Sequence, residues 1–291
     1  MVSTSRAAFS ERATVVARLP AGPVEYRLEG DGPRTVVVFH GGHMRAGLAL
    51  GEEVFADAGL TVLAPSRPGY GRTPMTTGTT PAGFADATAQ LCQTLGIERL
   101  AAVVGISAGG RTALTMVARH PHLVERVILQ SAVGFLPWPD RLTPLGGRVV
   151  FNARVEAGTW AILRSLVRLA PSLGLRLLLH DLSILPARQV LAGLSAAERA
   201  TLAGLFTVMR SGSGFVADML PVPDCAAQVS QPTLVIATRN DRSVPFAHAE
   251  SLAAAMPNAE LVDTRADSHM IWFGPDHPRI AAKIRDFLAA G

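Results

Sequence analysis

Short runs of apolar and β-branched residues alternate with longer segments in which apolar residues recur at helical spacing. The runs Thr35–His40 and Leu60–Pro65 are typical of strands buried on both faces of a parallel sheet. This alternation predicts an α/β fold, in which helices cover both faces of a mostly parallel sheet. Strands are predicted at Thr14–Arg18, Val24–Leu28, Thr35–His40, Leu60–Pro65, Arg99–Gly105, Val124–Gln130, Pro232–Thr238 and Ala259–Thr264. Helices are predicted at Arg45–Ala58, Ala82–Leu95, Ala108–His120, Ala247–Met256 and Asp276–Ala289.

The alternation stops between Phe135 and Gln231, where strand-like runs are missing and Leu, Ala and Arg recur at helical spacing. Within this segment, the residues from Ser195 to Glu198 form a capping-box sequence that predicts the start of a helix. We therefore predict an α/β core made of residues 1–134 and 232–291, with residues 135–231 inserted as a helical cap.

The composition indicates a folded chain with a sizeable core. Of 291 residues, 48% are hydrophobic and 17% are charged, which is unlike a disordered protein. The formal net charge is only +4, and no run of five like charges occurs. Nucleic acid is therefore not expected as a partner.

Cysteine usage and the apolar segments favour a cytoplasmic protein. Cys92 and Cys225 are too few for a disulfide framework and lack metal-ligand spacing. The first residues do not contain the apolar core of a signal peptide. The most hydrophobic stretch, Trp160–Leu179, contains three arginines and a proline, whereas a spanning helix needs about 20 largely uncharged residues. We expect no metal site and no stable membrane insertion.

The clearest chemical motif is the G-x-S-x-G sequence from Gly105 to Gly109. It directly follows a predicted strand and opens a predicted helix, a setting in which the motif forms a sharp turn that exposes the serine. We predict Ser107 as a nucleophile, with the amide N–H of Ala108 facing the negative charge that develops on the substrate. The alternative is a turn of small residues that carries a structural serine.

A serine hydroxyl needs a neighbouring base, and the base needs a carboxylate to orient it. His269 follows the last predicted strand and Asp241 follows the preceding one, so both belong to loops at the same edge of the sheet. The order serine, aspartate, histidine along the chain is a known order for such triads. We predict Ser107, Asp241 and His269 as a catalytic triad, with Asp263 or Asp267 as alternatives to Asp241.

A second amide donor is expected in the loop after the predicted central strand, where Gly41 and Gly42 follow His40. The N–H of Gly42 is the predicted partner of the Ala108 N–H in an oxyanion hole, and the N–H of Gly41 or His43 remains an alternative. The other interpretation is that the two glycines only form a tight turn. Predicted substrate contacts are His40, Gly41 and Trp272.

Five motifs in succession resemble the α/β-hydrolase superfamily over nearly the whole chain. They are HGG at 40–42, RPGYGRT at 67–73, GISAG at 105–109, NDRSVP at 240–245 and DSH at 267–269. The resemblance implies an eight-stranded, mostly parallel sheet flanked by helices, with a variable lid over the site. One departure is Ser66, because many members carry an acid there. The serine at the turn argues against the similar haloalkane dehalogenases and epoxide hydrolases, which use an aspartate.

The resemblance implies a carboxylesterase-like hydrolase that cleaves an ester or related acyl bond of a largely apolar small molecule. An acyl-Ser107 intermediate is expected, with no metal or organic cofactor. A thioesterase, an amidase, a C–C bond hydrolase acting on a diketone and an acyltransferase would use the same triad and stay open. A non-catalytic small-molecule receptor and a homodimer also stay open. Arg164 and Arg168 share a helix face, and they either remain solvated or meet a carboxylate or an anionic membrane surface.

Overall fold

An eight-stranded sheet forms the centre of the protein. The computed structural model describes residues 10–137 and 155–290. The strands are β1 (Val15–Leu19), β2 (Gly22–Glu29), β3 (Arg34–Phe39), β4 (Leu60–Pro65), β5 (Leu100–Ile106), β6 (Val127–Gln130), β7 (Thr233–Ala237) and β8 (Ala259–Asp263). Their order is β1-β2-β4-β3-β5-β6-β7-β8. At one edge, β1 pairs antiparallel with β2, and β2 pairs antiparallel with β4. All the other neighbours in this order, from β4 through β3 to β8, pair parallel. The predicted fold is therefore confirmed.

The helices of the core lie between the parallel strands and at the C-terminus. They are α1 (Glu53–Asp57), α2 (Pro81–Thr94), α3 (Gly109–Arg119), α9 (Ala247–Ala255) and α10 (His277–Ala289). No described helix is long and apolar enough to cross a membrane.

The described residues between β6 and β7 form a segment that we call the helical insert. Its helices are α4 (Glu156–Leu169), α5 (Pro171–His180), α6 (Ala187–Gly193), α7 (Ala196–Val208) and α8 (Gly214–Asp218). The predicted capping box is present at the start of α7, since Ser195 Oγ accepts the N–H of Glu198 and the Glu198 carboxylate accepts the N–H of Ser195. Residues 138–154 of the predicted cap lie outside the described part of the chain.

The predicted helix at Arg45–Ala58 is wrong over most of its length, because only Glu53–Asp57 is helical. Before it, the chain forms one local bond, from the N–H of Leu48 to the carbonyl of Arg45, and Ala46 hydrogen-bonds to distant parts of the chain. The N–H of Ala46 donates to Ser66 Oγ at 2.8 Å, and the carbonyl of Ala46 accepts from Arg27 Nε at 2.9 Å. These tertiary partners satisfy backbone groups that a helix would have paired locally.

Hydrophobic residues pack in two clusters, one on each face of the sheet. Along β3, Val36 and Val38 belong to one cluster, and Val37 and Phe39 belong to the other. This division follows from the alternation of side chains along a strand. The first cluster continues into the helical insert, where it includes Trp160 and several leucines. The insert is therefore joined to the core by shared hydrophobic packing.

The buried carboxylate of Glu25 on β2 holds the turn after β4. Its Oε2 accepts hydrogen bonds from Ser66 Oγ at 2.7 Å and from the N–H of Arg72 at 2.9 Å. Its Oε1 accepts from Arg72 Nε and from Thr14 Oγ1, each at 2.9 Å. Burial raises the pKa of Glu25, but these hydrogen bonds outweigh it, so the pKa lies below its ordinary value. Glu25 on the neighbouring strand β2 thus places a carboxylate beside Ser66, at the position where many members of the family carry an acid.

We expect Glu25→Gln to lower the free energy of unfolding by about 2 kcal/mol near neutral pH, because an amide cannot accept from all of these donors. Folding lowers the pKa of Glu25. The stabilisation that the Glu25 carboxylate contributes is therefore present above pH 4.5 and is lost as the pH falls below that value. Urea unfolding at neutral and acidic pH measures both effects. The exposed Glu98 provides the control Glu98→Gln. Equal stability of the two variants, or an unchanged acid sensitivity in Glu25→Gln, would contradict this account.

Candidate active site

Ser107 lies in the sharp turn between β5 and α3. Its backbone φ is +49°, a left-handed conformation that residues other than glycine rarely adopt. The flanking glycines allow this turn to pack closely against its neighbours. A Cβ on Gly109 would lie 2.1 Å from the Phe39 carbonyl oxygen. A Cβ on Gly105 would lie 2.8 Å from Cβ of Ala113. The turn therefore has the backbone that a nucleophile elbow requires.

Asp241 and His269 meet in the loops that follow β7 and β8. His269 Nδ1 lies 2.5 Å from Asp241 Oδ2, and both side chains are buried. Asp241 Oδ1 accepts the N–H of Val244 at 2.8 Å, which fixes the carboxylate. Because Nδ1 is bound to the carboxylate, Nε2 is the ring nitrogen left for proton transfer. The two alternative acids lie elsewhere, with Asp263 paired to Arg239 and Asp267 facing a small apolar cavity.

The end of β6 connects the serine turn to the histidine loop. The carbonyl of Gln130 accepts the N–H of Ser107 at 3.0 Å. The next residue, Ser131, donates its hydroxyl to the carbonyl of His269 at 3.0 Å. Both loops are therefore fixed to adjacent residues at the carboxyl edge of the sheet, the edge at which open α/β sheets bind ligands.

The helical insert also holds the loops that carry Asp241 and His269. The N–H of His269 donates to the carbonyl of Leu182 at 2.8 Å. The N–H of Ile184 donates to the carbonyl of Asn240 at 2.9 Å. The segment between α5 and α6 therefore touches the backbone next to Asp241 and at His269.

The loop after β3 passes beside the predicted nucleophile. A Cβ on Gly41 would lie 2.9 Å from Cβ of Ser107, so only glycine allows this close approach. Within residues 10–137 and 155–290, the amides of Gly42 and Ala108 donate to no protein acceptor. Ala108 directly precedes α3, so its N–H lies at the positive end of that helix. These amides are available to a negatively charged oxygen at the serine.

His43 joins this glycine loop to the helical insert, a contact that the sequence did not predict. Its Nδ1 lies 2.8 Å from Ser211 Oγ, and its ring stacks on Phe215 with centroids 4.0 Å apart. Ser211 Oγ also accepts the indole N–H of Trp160 at 2.8 Å. Burial, followed by the charge of Arg67, lowers the pKa of His43 from 6.5 to about 3. The imidazole is therefore neutral, and its Nδ1 shares a hydrogen bond with the Ser211 hydroxyl. No spacing in the sequence indicates this pairing.

Two predicted substrate contacts are instead packed inside the core. His40 Nε2 lies 2.8 Å from Glu52 Oε1, and both side chains are buried. The indole N–H of Trp272 donates to Gln130 Oε1 at 2.9 Å, and the residue is only 7% exposed. His40 Nε2 and the Trp272 indole N–H each have a partner within the core, so their placement does not support the prediction that these residues contact substrate. Gly41, the third predicted contact, does lie beside the serine.

The turn after β4 anchors helix α8 of the insert near the glycine loop. Asp218 accepts hydrogen bonds from Arg67 Nη2 at 2.8 Å and from the Tyr70 hydroxyl at 2.6 Å. Arg67 Nε also donates to the carbonyl of His40 at 2.8 Å. Burial, with the added charge of Asp218, raises the pKa of Tyr70 above its ordinary value, so the phenol stays protonated. One arginine thus connects α8 to the residue that precedes the two glycines.

The arrangement can support nucleophilic attack on a carbonyl carbon. It combines a hydroxyl on a strained turn, a histidine bound to a buried carboxylate, and two unused amide donors. Among residues 10–137 and 155–290, no group of three or more His, Cys, Asp and Glu side chains is arranged to hold a metal ion.

Comparison with known proteins shows the family to which this fold belongs. Residues 34–275 match the family model of the alpha/beta hydrolase fold. A pimeloyl-[acyl-carrier protein] methyl ester esterase of Aromatoleum aromaticum is 31% identical over 84% of this chain and 96% of its own length. A 2-hydroxy-6-oxononadienedioate/2-hydroxy-6-oxononatrienedioate hydrolase of Pseudomonas sp is 26% identical over 82% of this chain and 83% of its own. The structure of an alpha/beta hydrolase fold protein from Nakamurella multipartita has a TM-score of 0.79 at 25% identity, covering 96% of this chain and 100% of that one.

We expect the contacts of His43 to make stability depend on pH. The unfolded chain takes up a proton at His43 below pH 6.5, whereas the folded state resists protonation down to about pH 3. Stability is therefore lost as the pH falls through this range. In His43→Gln, the loss between neutral pH and about pH 5 should be smaller by about 1–2 kcal/mol. Urea unfolding at both pH values measures it, with the exposed His122→Gln as the control. If His43→Gln loses as much stability between the two pH values as the unsubstituted protein does, His43 is not buried in its neutral form.

Proposed function

Because this chain belongs to the α/β-hydrolase fold family, we propose that it is a serine hydrolase that cleaves an ester or related acyl bond of a largely apolar small molecule. The observation that carries the proposal is the His269–Asp241 hydrogen bond of 2.5 Å, held beside the Ser107 turn by the end of β6. Ser107 is the nucleophile, His269 the base and Asp241 the residue that orients the base.

In the proposed reaction, His269 accepts the proton of the Ser107 hydroxyl as its oxygen attacks the acyl carbon. Asp241 stabilises the imidazolium that forms. The amides of Gly42 and Ala108 donate to the oxyanion of the tetrahedral intermediate. His269 then gives its proton to the leaving group, and an acyl group remains on Ser107. Water, activated by the same histidine, releases the acid and restores the hydroxyl.

We infer that the helical insert acts as a cap over this site. A Cβ on Gly42 would lie 2.9 Å from the ring of Phe215, so the insert reaches the predicted oxyanion loop. The ion pair between Arg67 and Asp218 holds the same part of the insert in place. Phe215 thereby contributes apolar surface next to the oxyanion donors, which suits an apolar substrate.

A C–C bond hydrolase acting on a diketone is the second candidate. It is favoured by the similarity to the hydrolase of 2-hydroxy-6-oxo dienedioates described above. Screening esters of several chain lengths and diketones against the same preparation distinguishes the two activities.

We expect Ser107→Ala and His269→Ala each to lower kcat by on the order of 10³-fold or more, and Asp241→Ala to lower it less. Each of the first two variants removes a group that takes part directly in proton transfer or bond formation. Steady-state kinetics on the best ester measures the losses, and the exposed Ser230→Ala is the control.

A fluorophosphonate probe tests the nucleophile independently of the substrate. The adduct should appear on Ser107, which mass spectrometry of the digested protein identifies. Absence of an adduct on the folded protein would remove the case for a serine hydrolase and favour a non-catalytic receptor.

A further inference from the structure

Two arginines of the helical insert bury N–H groups that have no acceptor. Arg164 Nε on α4 and Arg210 Nη1, between α7 and α8, are inaccessible to solvent, and neither has a hydrogen-bond partner among the described residues. Burying such a donor without a partner costs about 1–3 kcal/mol, and more for a charged group. Folded proteins pair nearly all buried polar atoms, so two exceptions in one region need an explanation.

The structure distinguishes Arg164 from Arg168, which the sequence could not do. Arg164 is one helical turn after the buried Trp160 and is only half-buried, whereas Arg168 lies a further turn along and is exposed. The two arginines share a helix face, but Arg164 is covered where α4 packs on the protein, and Arg168, one turn nearer the end of the helix, is exposed.

The surroundings of the two arginines carry an excess of positive charge. Burial is the largest influence that lowers the pKa of Arg164, and the charges of Arg210 and Arg168 follow. Glu156 is the carboxylate that opposes them. Its Oε2 already accepts the N–H of Ser211 at 3.2 Å. Among the residues that the structure describes, two guanidinium groups thus face one partly engaged carboxylate, so their positive charge is not fully balanced.

The backbone of Arg210 lies next to the predicted oxyanion loop. The N–H of Arg210 donates to the carbonyl of His43 at 3.0 Å. His43 is two residues after Gly41, which itself lies against Ser107. Because consecutive Cα atoms are about 3.8 Å apart, this part of the loop spans no more than about 7 Å. Arg210 is therefore attached to the loop that passes beside Ser107.

We propose that Arg164 and Arg210 form a binding subsite for a carboxylate on the acyl substrate. The inference rests on the proposed function and narrows its substrate class to acyl compounds that carry a second, ionised carboxyl group, such as half-esters of short dicarboxylic acids. A carboxylate supplies the acceptors that both buried N–H groups lack. Guanidinium groups match the planar geometry of a carboxylate and bind it with charge-assisted hydrogen bonds.

The test compares two chromogenic esters of similar length, the 4-nitrophenyl half-ester of glutaric acid and 4-nitrophenyl butyrate. In the unsubstituted protein, kcat/KM should favour the charged ester by about 10-fold or more, as expected for one or two charge-assisted hydrogen bonds. Arg164→Gln and Arg210→Gln should each reduce this preference by about 10-fold while the neutral ester is still turned over. Arg168→Gln is the matched control on the same helix, and its preference should not change.

A binding measurement separates this inference from the catalytic proposal. Ser107→Ala protein should bind glutarate in calorimetry, and adding Arg164→Gln should abolish the binding. If neither ester is cleaved but glutarate still binds through the arginines, the serine mechanism fails and the subsite remains. If esters are cleaved with no preference for the charged one, or with the same preference in both arginine variants, the subsite is overturned.

Thermal unfolding of each arginine variant shows whether it is folded, so that a loss of preference is not caused by misfolding. Arg164→Lys keeps the charge but lacks the planar fork. If this variant folds, it should show an intermediate preference for the half-ester, and full retention of the preference would contradict recognition by the guanidinium geometry.

Discussion

The hydrogen bonds at the end of β6 determine how the other loops can be arranged. Gln130 and Ser131 accept or donate through both backbone and side chain, and their partners include Ser107, His269 and Trp272. The backbone carbonyl of Gln130 binds the loop after β5, and the side chains of Gln130 and Ser131 bind the loop after β8. Ser107 and His269, the proposed nucleophile and base, come from distant parts of the sequence, yet one pair of adjacent residues fixes both. The accuracy of the site therefore depends on rigid strand structure more than on the loops themselves.

The helical insert is held by contacts of two kinds, which act at different places. Apolar side chains of its helices continue one of the two core clusters, and this packing is insensitive to orientation. Directional contacts then fix the insert near the glycine loop, through Asp218 with Arg67 and through Ser211 with His43. Because hydrogen bonds are specific in geometry, these contacts place Phe215 and the arginine pair relative to Ser107.

Sequence reasoning succeeded where local pattern and tertiary environment agree. Buried strands give continuous β-branched runs, so every strand was found, and the flanking glycines identified the turn at Ser107. Positions after successive parallel strands converge at one edge, which brought Asp241 and His269 together. Sequence reasoning failed where the hydrogen-bond partners of a residue come from distant parts of the fold. The residues at Arg45–Glu52 have helical spacing but bind other elements, and Trp272 is buried because Gln130 accepts its N–H. The spacing of Arg164 was likewise equally compatible with an inward or an outward position.

The bond between the His269 N–H and the Leu182 carbonyl has a consequence for how such proteins diversify. The insert supplies part of the backbone support of His269, so it is not an independent module that can be exchanged at its two junctions. A graft from a relative would keep His269 in this position only if its own chain offered a carbonyl at the same point. Variation in substrate range is therefore easier to acquire by side-chain replacement within α4 and α8 than by replacement of the whole insert.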